Sequence, residues 1–164
     1  MKTMINKAIA AAFEKNKFLA YYANAHDSEH FSVGKVIAYD ERFLLTAEIS
    51  PEGDPEGYSL QKIDNIYRVD IDDSYTKGLT DIDLITDIVT DFIRDDLFND
   101  TLEYLKRNGI AASISLNPMR ETDLDMVIKA YDDTCVLGDM LDESGLADGT
   151  SIVRRENIIS VFWD

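Results

Sequence analysis

The stretch AYDERFLL at residues 38–45 returns as AYDDTCVL at residues 130–137, 92 residues further on. At that offset residues 34–72 lie over 126–164 without a gap, and 11 of the 39 positions are identical. The identities include Tyr39/Tyr131, Asp40/Asp132, Gly53/Gly145, Gly57/Gly149, Asn65/Asn157 and Asp72/Asp164. Apolar character is kept at Val36/Ile128, Phe43/Cys135, Leu44/Val136, Ile49/Leu141 and Leu60/Ile152. Upstream, Asn16 falls on Asn108, each closing a helix-like stretch. A copy that preserves turn residues together with apolar positions is a supersecondary unit copied whole. The expected organisation is unit one at residues 1–72, a helical connector at 73–92 and unit two at 93–164.

Each unit opens on a helical pattern. Met4, Ile5, Ala8, Ile9, Ala12 and Phe13 share one helix face, since apolar residues three and four apart meet on one side. Strands are expected from Phe18 and near 31–39, 43–49, 58–62 and 66–71, then near 110–116, 124–131, 134–141, 150–154 and 158–163. Asp40-Glu-Arg marks a tight reversal, and Pro51-Glu-Gly-Asp-Pro-Glu-Gly57 a longer loop, because these residues favour turns. In the connector, Thr80 can cap a helix lined by Ile85, Ile88, Val89 and Phe92. That helix either runs on to about residue 107 or breaks near Asp95-Asp96. The predicted fold is α+β, mainly β: two tandem small barrels, each a helix followed by about five antiparallel strands, closed because closure removes sheet edges.

The stretch from Val33-Gly34 through Tyr39-Asp40 to Phe43-Leu44-Leu45 resembles the first motif of Sm-like proteins. Ile152-Val153-Arg154-Arg155-Glu156-Asn157-Ile158 resembles the second. The resemblance covers about 40 residues of each unit and implies a small SH3-type barrel. It also implies an RNA pocket using the Asp of the first motif, here Asp40 and Asp132, and the basic position of the second, here Lys62 and Arg154. The base-reading Asn of the family is replaced by Leu44 and Val136, and its second-motif Gly by Ile63 and Arg155. Candidate RNA- or ligand-binding residues are therefore Asp40, Lys62, Asp132, Arg154 and Arg155, with plain turn hydrogen bonding as the alternative role of the two aspartates. The resemblance further implies self-association through barrel edges.

Composition narrows the function. The chain carries 32 acidic and 16 basic residues, a formal net charge of -16. Such a surface disfavours phosphate backbones and anionic membranes, and it either serves only as a self-repelling, soluble surface or meets a basic partner. The single cysteine, Cys135, cannot form an internal disulfide, which suits a reducing, cytoplasmic setting. The start MKTMINKAIAAAF has the small residues of a signal peptide, but Glu14, Lys15 and Lys17 interrupt it. No phosphate loop, dinucleotide fingerprint or nucleophile elbow is present. His26 and His30, four apart, are weak metal candidates, read more simply as part of a solvated loop, and no cofactor is expected. The expectation is a non-enzymatic binding or regulatory module for a protein partner, in an antitoxin-like or inhibitor role. The alternatives are a divergent Sm-like RNA binder and a small-ligand binder or enzyme with a site between the barrels.

Overall fold

The computed structural model describes residues 2–23, 31–79, 91–117 and 123–164. Helix α1 (Met4–Glu14) precedes strands β1 (Phe18–Tyr22), β2 (Ser32–Tyr39), β3 (Phe43–Ile49), β4 (Pro55–Lys62) and β5 (Arg68–Asp70). A short α2 (Ser74–Lys77) follows. Helix α3 (Leu97–Asn108) then precedes β6 (Ala111–Leu116), β7 (Leu124–Tyr131), β8 (Cys135–Leu141), β9 (Ala147–Arg154) and β10 (Ile158–Trp163).

The expectation of two closed barrels is overturned. The ten strands form a single open antiparallel sheet in the order β5-β1-β2-β3-β4-β10-β6-β7-β8-β9. Each half contributes five strands in the same internal order, but neither half closes on itself. Instead β10 pairs with β4, in the register Gln61↔Ser160, Leu60↔Val161, Ser59↔Phe162 and Tyr58↔Trp163. The physical problem that barrel closure would solve is solved here by sharing, since each half covers one edge of the other. Among the described residues only β5 and β9 remain as edge strands.

The repeat is visible atom by atom. Asp40 Oδ1 accepts the amides of Arg42 and Phe43, each at 2.8 Å. Asp132 Oδ1 accepts those of Thr134 and Cys135 at 2.8 and 2.7 Å. The β2–β3 ladder slips between Val36 and Ala38, and the β7–β8 ladder between Ile128 and Ala130. A 3-10 turn follows β4 at Ile63–Asn65 and follows β9 at Arg155–Asn157.

The junction register decides which side of the sheet carries the core. Leu60 pairs with Val161, and Val161 pairs with Ile114. Side chains directly opposite share a face, so these three line one continuous surface. On it lies the main core, which joins Phe43, Leu45 and Leu60 of the first half to Leu102, Leu105, Ile114, Met126 and Val136 of the second. Phe98 of α3 stacks on Phe43 with ring centroids 4.7 Å apart, so α3 ties the halves together. The other side carries a smaller core, in which Ile9 and Ala12 of α1 cover Leu19, Tyr21, Leu44, Ile63 and Ile66.

Helix ends follow local chemistry. Thr3 and Asn6 form a reciprocal cap on α1. Asp96 caps α3, accepting the Asn99 amide at 3.0 Å. Asp100 Oδ2 receives the amides of Arg94, Asp95 and Asp96 at 2.8, 3.1 and 3.3 Å. These contacts fix the chain break ahead of α3, so a helix running unbroken to residue 107 does not form. The connector positions Thr80 to Val89 lie outside the described residues. Among the described residues no helix is long and apolar enough to cross a membrane.

Candidate functional site

On β3, alternate positions Leu44, Thr46 and Glu48 project to one side, because side chains alternate along a strand. The register places Thr46 beside Ser59 and Leu44 beside Gln61. Across the junction, Ser59 meets Phe162 and Gln61 meets Ser160. Thr46, Glu48, Ser59 and Gln61 are all buried. Four polar side chains together inside a sheet are uncommon, because each must find a partner once water is removed.

Their partners are built in. Tyr21, from β1, donates its hydroxyl to Glu48 Oε1 at 2.6 Å. Thr46 donates to the same oxygen at 2.8 Å. The Val33 amide also hydrogen-bonds this carboxyl. Gln61 Nε2 donates to the carbonyls of Lys62 and Ile159 at 3.1 and 3.3 Å, binding the two halves through one amide. Glu48 is only 6% exposed. Burial pushes its carboxyl up to about 7, against the opposing effect of the Tyr21 and Thr46 hydroxyls. Burial and the neighbouring Glu48 carboxylate raise the Tyr21 phenol far above its ordinary value.

This group opens on a cavity of about 380 Å³ at the junction of the halves. Glu48, Ser59 and Gln61 lie on the sheet side, and Ser160 and Phe162 come from β10. Phe31 and Tyr75 form an aromatic side, their rings edge to face at 6.0 Å, and Glu56 adds a second carboxylate. Among the described residues lining the cavity there is no Lys, Arg or His.

The residues singled out from sequence go elsewhere. Asp40 and Asp132 are turn residues that bind the amides two and three positions on. Those amides, Thr134 first, hold the Asp132 carboxyl below its ordinary value. Arg155 donates to the Asp132 carbonyl at 2.7 Å and to Asn99 Oδ1 at 2.6 Å, and lies 4.7 Å from the Phe98 ring centroid. It fastens α3 to the β7–β8 turn. Lys62 donates to the Glu156 carbonyl at 2.9 Å across the junction, and Arg154 is exposed. Asp132 and Arg155 are thus brought together, but as scaffold contacts, and Asp40 belongs to a separate turn. His26 and His30 lie outside the described residues. Cys135 is half-buried.

Glu48, Gln61 and Phe162 were not singled out by sequence. One signal could have found them. Thr46 and Glu48 align with Gly138 and Met140, so the first copy is polar where the second is not. No family model matches the chain, and no curated protein or solved structure matches it. The likeness to Sm-like proteins therefore rests on the quoted residues alone.

Proposed function

We propose that this protein is a non-enzymatic cytoplasmic binding module that engages a basic protein partner. The observation that supports this most is the junction cavity, with two carboxylates and three aromatic rings and no basic residue among its described lining. It belongs to a chain with twice as many acidic as basic residues, 32 against 16. A negative field of that size attracts basic surfaces and repels phosphate backbones. An inhibitor or antitoxin-like role is one concrete form of this reading. Self-association through the edge strands β5 and β9 is a second kind of contact, favoured by Ile152, 64% exposed on the β9 edge.

The test is a tagged pull-down of the full chain from its native host at moderate salt. Bound protein and bound RNA are analysed in parallel, and the captured protein is then recombined with the pure chain. The expected result is a basic protein in fixed stoichiometry whose affinity falls with added salt. Enrichment of RNA, sensitive to nuclease and lost on Arg154→Ala with Arg155→Ala, would replace this reading with RNA binding. Saturable turnover of a substrate by the pure chain would overturn its non-enzymatic part. Sedimentation of the wild type beside Ile152→Lys tests the edge contact, which is contradicted if the two masses are equal.

A further inference from the structure

The acidic surface accounts for attraction at long range but not for the shape of the junction cavity. A carboxylate needed only for surface charge belongs in water, where it is well solvated. Glu48 instead sits behind the sheet, held by hydroxyls from β1 and β3 and an amide from β2. Its strand partner on β2 is Gly34, which places no side chain over it. The second half replaces every side chain of this arrangement and the glycine opposite it. Ile114 stands in for Tyr21, Gly138 for Thr46 and Met140 for Glu48, and Met126 fills the position of Gly34. The scaffold therefore does not require the polar group. What the polar group adds is an anion in the lining of an aromatic-sided cavity.

We propose that the junction cavity is a guanidinium site that receives an arginine side chain of the partner. This rests on the reading that the partner is a basic protein. A guanidinium is a planar fork of N–H donors that stacks on aromatic faces and binds carboxylates through two hydrogen bonds. The cavity offers an arc of acceptors along one sheet face. Glu48 stands at its β3 end, Ser59 lies one strand away beside Thr46, and Ser160 lies beside Gln61 on β10. The Gln61 nitrogen is committed to two carbonyls, so its oxygen is the end it offers a ligand. Phe162 and Tyr75 supply flat apolar surface. A lysine ammonium is a compact point charge and would use less of this arc.

The charge balance gives the site a pH dependence. The charged or titratable groups facing Glu48 are Tyr21 from β1 and Glu56 from β4, and no cation faces it among the described residues. Near neutrality its carboxyl is partly protonated, so an entering guanidinium displaces a proton to solvent and pairs with the carboxylate. Affinity therefore rises with pH, about tenfold from pH 6 to pH 8 for a group titrating near 7.

The experiment is titration of the full chain with N-acetyl-arginine amide, followed by calorimetry and by amide chemical shifts. The expected result is saturable binding that perturbs Ser59, Gln61 and Ser160. It should weaken at least about tenfold in Glu48→Gln and remain unchanged in Glu143→Gln, a charge-matched change at an exposed turn of the second half. Phe162→Ala is the second variant, should Glu48→Gln fail to fold, and weakening by it counts the same way. Absence of saturable binding, equal binding in Glu48→Gln, or equal affinity for N-acetyl-lysine amide would overturn the proposal. The two readings fail separately. A basic protein that binds wild type and Glu48→Gln alike leaves the module intact and removes the guanidinium site. Amide binding with no basic protein captured does the reverse.

Discussion

Glu48 sits buried under the Tyr21 hydroxyl, and 92 residues further on Met140 occupies the same place on β8. Around these positions the backbones agree. β2, β3 and β4 recur as β7, β8 and β9 at one constant offset, with the same slips and the same aspartate turns. The interiors do not agree. All seven residues of β3 are buried, whereas β8 buries only Val136 and Gly138. The first half is covered on both sides, and the second faces its own helix alone. The comparison teaches that turn and register residues maintain the scaffold, while the alternating side chains between them are free to diverge. The first copy used that freedom to bury a carboxylate.

The largest expected effect tests the difference in cover. Leu60 is fully buried, while its equivalent Ile152 is 64% exposed. Leu60→Ala should destabilise by about 2–5 kcal/mol through lost burial and a residual cavity. Ile152→Ala should stay within about 0.5 kcal/mol, as surface changes do. Denaturant midpoints of both variants check this, and equal losses would break the comparison.

Next in size is the pH dependence. The folded-state pKa of Glu48 is raised to about 7, so the folded protein holds a proton that the unfolded chain has already released. Its stabilising contribution is complete below the ordinary glutamate value and is lost as pH rises through about 7. Relative to Glu48→Gln, wild type should therefore lose about 3 kcal/mol between pH 4 and pH 8. Urea titrations of the two proteins at both pH values measure it, and a constant difference would place Glu48 in water.

A smaller effect sharpens the exchange of side chains between halves. A Cβ on Gly138 would stand 2.5 Å from Met126 Sδ and 2.9 Å from the Val127 carbonyl oxygen. Gly138→Ala should cost about 1–3 kcal/mol by overpacking. Combined with Met126→Ala it should cost less than the sum of the two single changes, because the residues touch. Strict additivity in thermal unfolding would contradict this packing.

The smallest effect concerns what the halves share. Asp40→Ala and Asp132→Ala each remove two hydrogen bonds from turn amides, and Asp132→Ala also removes one from the Thr134 hydroxyl. Each should lose about 1 kcal/mol, with the two losses close to equal in chemical denaturation. A large effect at one alone would give that aspartate a role beyond its turn.

Much of the local fold was legible because its determinants are local. The Tyr-Asp turns, the paired glycines and the apolar positions shared by β3 and β8 each act over a few residues. The offset itself was only partly legible. It is 92 from β2 onward but 93 upstream, where Thr3 and Asp96 are the helix caps and Asn16 and Gly109 take the left-handed conformation. One residue is missing between the first two strands of the second half, and a gapless comparison hides it. The open sheet was not legible, because closure and sharing satisfy the same edge requirement. Only the long-range pairing of β4 with β10 distinguishes them, and no local pattern encodes that choice. The candidate site was hidden by composition. Glu48 is one of 32 acidic residues, and Tyr21 and Thr46 are ordinary strand residues until the register brings them together.

The most direct test of the account follows the Glu48 side-chain carboxyl by carbon-13 NMR across pH 4 to 9, with and without saturating N-acetyl-arginine amide. The account expects a midpoint near 7 for the free protein and a clear fall when the amide binds, as the carboxylate gains its cation. A midpoint in the ordinary glutamate range, unmoved by the amide, would contradict both the buried carboxyl and the site built on it.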